Sequence, residues 1–156
     1  MTDERALIDF VQNQRWYGSK TREITHAAVI DRAVLRDTEP VLEMQLVETR
    51  FAEGTHETYQ LLTDDSLDAL ADPRQVRELV HMVRAARTVP AGEGVVTFGV
   101  VEGYAGLGQE LREARRIEAE QSNTSIVFDD ELIMKVFRRL EAGINPELEL
   151  LRFLTE

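Results

Sequence analysis

The N-terminal third of the chain carries one helical hydrophobic pattern followed by strand-like patterns. Leu7, Phe10 and Val11 recur at spacings of three and four residues, which predicts a helix over residues 3–13 with Thr2 as its N-cap. Alternating or short apolar runs then occupy three stretches, residues 27–35, 41–51 and 56–63. An Ala-Glu-Gly-Thr turn joins the last two as a hairpin. These patterns predict a helix packed on a small antiparallel sheet.

A second helical pattern precedes the clearest break in the chain. Asp72 and Gln75 form a capping-box pattern with Pro73 at the first helical position, and apolar residues at helical spacing extend this helix to about residue 87. Proline and glycine then cluster at residues 90–94. The break divides the chain into two predicted units, residues 1–89 and 90–156.

The second unit is predicted to be mostly extended. Its strands and extended segments are residues 95–101, 113–121, 125–128 and 132–138. A tight turn at residues 129–131 joins the last two, and a final helix begins at Pro146 with Asn145 as its cap. The glycine-rich stretch 103–108 lacks the residues of a nucleotide fingerprint and is interpreted as a loop. The predicted fold class is therefore α+β.

Charge and composition narrow the possible functions. The chain has 18 basic and 29 acidic residues, a formal net charge of −11, and no cysteine. An excess of acid disfavours nucleic acids and anionic membranes as partners, because their phosphates attract basic surfaces. Without cysteine there is no disulfide framework and no thiol chemistry. The N-terminus lacks the basic region of a signal peptide, and we expect a cytoplasmic protein without nucleic-acid or membrane partners.

Lysine is rare in this chain, which draws attention to its two positions. Lys20 and Lys135 are the only lysines among the 18 basic residues. Lys135 lies inside the apolar run Leu-Ile-Met-Lys-Val-Phe, where a buried ammonium group would need a carboxylate or an anionic ligand. Alternation along a strand also permits a solvent-facing Lys135. The residues before and after Lys135 favour the interpretation in which it faces a carboxylate or an anionic ligand.

The order of elements around Lys135 is that of a nucleotide-binding lobe. A small, hydrogen-bonding segment, residues 121–125, precedes a hairpin with Lys135 on its second strand, and a helix with Glu147 and Glu149 follows. Protein-kinase-like small lobes have this order, since loop groups hold phosphates, the lysine contacts them and a glutamate positions the lysine. Ideal helical geometry places Glu147 on the inward stripe with leucines such as Leu150, and Glu149 on the outward side.

Four stretches resemble a known family. Residues 120–128, 132–140 and 143–149 are similar to actinobacterial maltokinases and to the maltokinase half of trehalose synthase fusions. Residues 14–20 (QRWYGSK) resemble the entry of that family's N-terminal cap subdomain, so the similarity extends over both halves of the chain.

The resemblance implies a cap subdomain over residues 1–89 and, over residues 90–156, part of a protein-kinase-like small lobe of the aminoglycoside-phosphotransferase type. It implies an ATP- and Mg²⁺-dependent enzyme that phosphorylates maltose to maltose 1-phosphate, between trehalose and α-glucan (glycogen) metabolism, with trehalose synthase as a possible partner or fusion. The matched nucleotide-binding residues are Ser122, Asn123, Thr124, Ser125, Lys135 and a glutamate. The family pattern favours Glu149 over Glu147, against the helical-face argument, and we prefer Glu149 slightly.

Residues after Lys135 include no catalytic-loop Asp and no second Asp for Mg²⁺. We therefore interpret the chain as an N-terminal fragment, inactive by itself, with the Mg²⁺ ligands and the sugar site expected in a missing lobe. Two alternatives remain open. The chain could be a non-enzymatic interaction or regulatory module, or it could belong to a kinase for another sugar, such as an amino sugar.

Five further residues receive structural interpretations. Trp16 and Tyr17 are expected in a core rather than on a ligand surface. Lys20 is expected to pair with a carboxylate. Arg138 and Arg139 are expected to be exposed at the end of the hairpin, with phosphate neutralisation as the alternative.

Overall fold

The computed structural model describes residues 3–100, 111–117 and 122–155. The helices are α1 (Glu4–Asn13), α2 (Pro73–Arg84) and α3 (Pro146–Thr155), with a 3₁₀ turn at Ala69–Ala71. The strands are β1 (Ile24–Arg36), β2 (Leu42–Phe51), β3 (His56–Thr63), β4 (Thr88–Pro90), β5 (Val95–Thr97), β6 (Ala114–Ile117), β7 (Asn123–Phe128), β8 (Leu132–Phe137) and β9 (Arg139–Leu140). Thr2, the glycine-rich stretch 103–108 and residues 118–121 lie outside the described residues.

The first sheet has the antiparallel order β1-β2-β3-β9, and α1 packs against it. Leu7 and Val11 of α1 are buried in a cluster with Trp16, Tyr17 and Tyr59, so the predicted amphipathic helix on a small sheet is confirmed. The residue at the N-cap position of α1 is Asp3. The β2–β3 turn contains Gly54 at a φ of +83°, a backbone conformation that favours glycine.

The second sheet has the antiparallel order β6-β7-β8. Asp129 and Asp130, with φ values of +50° and +57°, are the central residues of the turn between β7 and β8, in which residues 129–131 lie between the paired Phe128 and Leu132. Positive φ at both central residues fits the right-handed twist of a hairpin, and aspartate tolerates this conformation better than most residues. The turn predicted at these positions is confirmed. Strand β5 is shorter than predicted, because it pairs only with the three residues of β4.

Helix α2 forms only half of the predicted capping box. The Asp72 carboxylate accepts the Arg74 N–H at 2.8 Å, as an N-cap should. The side chain of Gln75 is instead fully buried, where it accepts from Arg36 at 2.6 Å and donates to Asp64 at 3.1 Å. Gln75 therefore satisfies buried polar groups of the core and does not close the cap.

One hydrophobic core extends across the predicted boundary near residue 90. The boundary itself falls in the β4–β5 hairpin, in which Pro90 pairs with Val95. Leu42 and Leu62 of the first sheet lie in the same buried cluster as Phe128 and Val136 of the second. Strand β9 also joins the first sheet by pairing with β3. The two predicted units are therefore joined by packing as well as by the chain.

This shared core predicts a single cooperative unfolding transition. Replacing the fully buried Phe128 with alanine (Phe128→Ala) should lower the free energy of unfolding by about 3–5 kcal/mol, because it leaves a cavity between the sheets. Urea unfolding followed by Trp16 fluorescence and by far-UV circular dichroism should give coincident transitions. The control Ile133→Ala, at a 62% exposed position, should change stability by less than about 0.5 kcal/mol. Two separate transitions would contradict the shared core.

Candidate functional site

Lys135 faces the first turn of α3. Its Nζ donates to Oε1 of Glu147 at 2.5 Å, and its side chain is 33% exposed. The Asn145 side chain caps this helix by accepting the Glu147 N–H at 2.9 Å, which holds Glu147 beside β8. The predicted cap is therefore confirmed. The Lys135 side chain as a whole therefore stays partly exposed.

The glutamate that contacts Lys135 is Glu147, the one favoured by the helical-face argument. The slight preference for Glu149, which came from the family resemblance, does not correspond to this contact. Two residues along a helix correspond to a rotation of about 200°, so Glu149 lies on a different side of α3 from Glu147. The same argument placed Leu150 on the inward stripe, and this was wrong, because Leu150 is 57% exposed.

The four residues matched to a phosphate loop lie at and inside the start of β7. Ser122 precedes the strand and is exposed, whereas Asn123, Thr124 and Ser125 are strand residues. Ser125 is directly opposite Lys135 in the sheet, and Asn123 is opposite Phe137. Alternation therefore places Asn123 and Ser125 on the Lys135 face of the sheet. Thr124 belongs to the opposite face.

Arg138 is buried behind this surface, which corrects the expectation that it is exposed. Its guanidinium is 0% exposed and donates to Oγ1 of Thr124 and to Oδ1 of Asp68, both at 2.8 Å. It also lies over the Trp16 ring, with Cζ 5.4 Å from the ring centroid. Arg139 is half exposed, in agreement with the prediction, and pairs with Glu57 and Glu141.

The buried charge of Arg138 is compensated locally. Burial lowers the pKa of its guanidinium, and the charge of Asp68 opposes that shift. Asp68 also accepts from Arg116 of β6 at 3.1 Å, so one carboxylate connects β6 with the point between β8 and β9 at which Arg138 lies. The backbone carbonyl of Arg138 accepts the Gln60 N–H at 2.7 Å, at the point where the chain passes from one sheet to the other.

The sequence could have predicted that Arg138 is buried, but not that Asp68 is its partner. Met134, Val136 and Arg138 share the parity of one strand face, and that face packs on the core. This alternation is the signal that could have predicted an inward Arg138. Asp68 carried no comparable signal, because its acidic stretch has no periodicity and its partner lies 70 residues away.

The segment Gln14–Lys20 has a structural role. Trp16 and Tyr17 are buried in the first core cluster, as predicted. Lys20 donates to the main-chain carbonyls of Gln12 and Gln14 at 3.3 and 3.0 Å, at the end of α1, whereas a carboxylate partner was expected. A cation at the negative end of a helix is favourable, and these bonds satisfy carbonyls that the helix leaves unpaired.

Ser19 of the same segment donates to Glu57, a buried carboxylate that also accepts from Tyr59 at 2.5 Å. Burial and this bond raise the pKa of Tyr59, so its hydroxyl remains protonated.

Within the described residues, no group of three or more histidine, aspartate or glutamate side chains is arranged to hold a metal ion. In the same parts of the chain, every helix is too short or too polar to cross a lipid bilayer.

Removing the buried guanidinium should destabilise the protein strongly. Arg138→Met should lower the free energy of unfolding by roughly 3–5 kcal/mol, because it leaves Asp68 without its buried partner. The double variant Arg138→Met with Asp68→Asn should lose less than the sum of the two single changes. The control Arg115→Met removes an exposed ion pair with Asp130 and should cost at most about 1 kcal/mol. Equal losses at Arg138 and Arg115, measured by urea unfolding, would contradict the buried pair.

The protein-family comparison matches β1, β2, β3 and α2 rather than the Lys135 surface. The model of the maltokinase N-terminal cap domain matches residues 10–92, more than half of the 156-residue chain. The match begins within α1 and ends in the β4–β5 turn, close to the boundary predicted at residue 90. It includes the Arg-Trp-Tyr-Gly-Ser-Lys segment, whose aromatic rings form the core of the first sheet. The chain belongs to the maltokinase N-terminal cap domain family.

Proposed function

We propose that this chain provides the cap and part of the nucleotide-binding lobe of an ATP-dependent sugar kinase. The observation that carries the proposal is the Lys135–Glu147 pair, which joins the last strand of the β6-β7-β8 sheet to the helix that follows it. A lysine held by a helix glutamate, next to small polar residues on the neighbouring strand, resembles the arrangement that kinase-like lobes use to bind the phosphates of ATP. Family membership supports maltose as the acceptor and maltose 1-phosphate as the product.

The chemistry of the Lys135 face fits part of a nucleotide site. The Lys135 side chain is 33% exposed, and its ammonium group would contact a phosphate while Glu147 holds it in place. Ser122 is exposed, and Asn123 shares the Lys135 face, so both can donate to phosphate oxygens. ATP would supply the phosphoryl group, and Mg²⁺ would neutralise its oxygens. We assign no Mg²⁺ ligand to the described residues, which contain no suitable cluster.

Thr124 does not fit the phosphate-contact role that the resemblance gives it. Its side chain is buried on the opposite face, and its hydroxyl accepts from Arg138 at 2.8 Å. We propose instead that Thr124 holds the start of β7 in position through Arg138. The amides and side chains just before it would then contact the nucleotide.

The two lysines of the chain provide a matched test of nucleotide binding. Lys135→Met should weaken ATP binding by roughly tenfold or more, because a charge-assisted contact to phosphate is lost. Lys20→Met removes the same charge from the end of α1 and should leave ATP affinity unchanged. Isothermal titration of the wild-type chain and both variants with ATP measures the effect. If wild-type protein shows no binding, or if both variants bind equally, the chain acts instead as a non-enzymatic interaction module.

The two glutamates of α3 provide a second test. Glu147→Gln should reduce ATP affinity, because Lys135 loses the carboxylate that positions it. Glu149→Gln makes the same charge change in the same turn of the helix and should have a smaller effect. The ratio of the two dissociation constants, measured by the same titration, shows which glutamate positions Lys135. The geometry indicates Glu147, and the family pattern favours Glu149. A larger loss at Glu149 would support the pattern.

A further inference from the structure

A pocket lies along one edge of β8. It has a volume of about 640 Å³, within the range of about 300–1,000 Å³ that is common for binding sites. Four consecutive residues of β8 line it, from Met134 to Phe137. Side chains alternate between the two faces of a strand, so a pocket on one face would meet only every second residue. Contact with all four residues places the pocket at the edge of the strand, where the main-chain groups lie.

The other walls of this pocket are mostly apolar. The first sheet, α2 and the segment around β5 contribute Leu35, Met44, Leu62, Leu79, Val96 and Phe98. Ile144, just before α3, also lines the pocket and is 69% exposed, which extends the apolar surface that a partner could bury.

The charged residues of the lining already have partners. Arg139 pairs with Glu57 and with Glu141, and Lys135 pairs with Glu147. A charged ligand would therefore have to compete with existing ion pairs. The lining favours an uncharged, largely apolar occupant.

The edge of β8 has the geometry that strand pairing requires. In the part of the chain that the structure describes, β8 pairs with β7 on one side and with no strand on the other. Its register with β7 is regular over six residue pairs, from Asn123–Phe137 to Phe128–Leu132, and contains no bulge. Alternate residues of an antiparallel strand direct N–H and C=O groups away from the neighbouring strand. These groups form a regular row on the side of β8 that borders the pocket.

The other sheet edges of the described residues have features that prevent pairing. Proteins protect edges with bulges, short strands, charged side chains or covering loops. Strand β1 has three register irregularities, and the β4–β5 hairpin covers part of it, with Asp31 accepting the Gly92 N–H at 2.7 Å. Strand β9 has two residues, and β6 carries Arg115 and Arg116. Strand β8 is longer and regular, and Glu147 of α3 holds its one charged residue, Lys135.

We propose that the edge of β8 binds an extended segment of a partner polypeptide, which joins the second sheet as a fourth strand. Strand addition combines main-chain hydrogen bonds along the edge with pockets for alternate side chains. The segment would carry apolar residues at alternate positions, because the pocket walls are apolar and the charged lining residues are paired. A small apolar molecule would leave the outward main-chain groups of β8 without partners.

A partner segment fits this edge better than a second copy of the chain. Two folded copies would meet sheet edge to sheet edge, whereas the edge of β8 borders a pocket that a single strand can enter. The proposal is independent of nucleotide binding, since it depends on the edge of β8 and not on the Lys135 ammonium group.

Fluorescence anisotropy of a labelled synthetic peptide tests the proposal with the full chain. In the peptide, valine and threonine alternate, and a lysine at each end keeps it soluble. It should bind saturably at one site, because its main chain can pair with β8 while the valines enter the pocket. Absence of saturable binding would overturn the proposal.

Two methylated forms of the peptide test pairing through the main chain. One carries N-methyl groups on its valines and the other on its threonines, and both keep every side chain. Alternate N–H groups point to the same edge of a strand, so one form loses the donors that face β8. That form should bind roughly tenfold or more weakly, because several hydrogen bonds are lost. Equal binding of all three peptides would show that the pocket takes side chains alone, which contradicts strand addition.

Matched substitutions locate the binding. Ile144→Asp puts a carboxylate at an exposed position of the lining and should weaken binding of the unmethylated peptide roughly tenfold or more, since an unpaired charge would be buried under the peptide. Ile30→Asp makes the same change at a 49% exposed position of β1 and should leave the affinity unchanged. Far-UV circular dichroism of each variant checks its fold. Equal affinities of the two variants would place the peptide elsewhere and overturn the proposal.

Hydrogen exchange of the wild-type chain, measured by NMR, provides evidence that does not depend on any variant. The peptide should slow exchange at alternate amides between Leu132 and Phe137 and leave the amides of β1 unchanged. Unchanged exchange in β8, or protection of β1 instead, would overturn the proposal. Concentration-dependent self-association without peptide, seen by sedimentation together with the same β8 protection, would assign the edge to a second copy and overturn the partner segment.

Discussion

The buried ion pair between Arg138 and Asp68 constrains how the two sheets meet. A guanidinium with 0% exposure requires a nearby carboxylate, and Asp68 provides it at 2.8 Å from a position 70 residues earlier in the chain. Arg138 lies between β8 and β9, so the same residue that requires this partner is the one at which the chain changes sheets. Its carbonyl bond to Gln60 fixes the crossing from the other side. Packing of hydrophobic residues alone would leave this crossing with less directional restraint.

The orientation of Lys135 follows from the same constraint. Val136 and Arg138 face the core, so strand alternation places Lys135 on the opposite face, next to Glu147. Arg138 also holds Thr124, whose neighbours Asn123 and Ser125 lie on the Lys135 face. Asp68 lies in the range that the cap-domain model matches. Through Arg138 it is linked to Thr124 of β7, whose neighbours lie on the proposed phosphate-binding face.

Local patterns predicted most elements, and long-range polar contacts account for what they missed. The amphipathic faces of α1 and α2, the Asp129–Asp130 turn and the Asn145 cap depend on neighbouring residues and could be read from sequence. Gln75 fits a capping box locally, but its burial beside Arg36 and Asp64 depends on tertiary packing. Which glutamate, Glu147 or Glu149, contacts Lys135 depends on where α3 begins. The Asn145 side chain, as the N-cap of α3, sets that start. The nucleotide role of Lys135 stays a prediction, because no contact in the chain identifies the ligand.

Net charge is a sum over the chain, and it conceals the distribution that matters for binding. The value of −11 disfavoured nucleic acids and anionic membranes as partners, since their phosphates attract basic surfaces. In the folded chain, however, arginines serve two different environments. Arg138 is buried against Asp68, whereas Arg74, Arg77 and Arg84 lie along one side of α2. Screening confines electrostatic attraction to about 8–10 Å at moderate salt, so a small anion responds to the local group and not to the total. The net charge of a chain therefore does not decide whether a small anion can bind where folding brings arginines together.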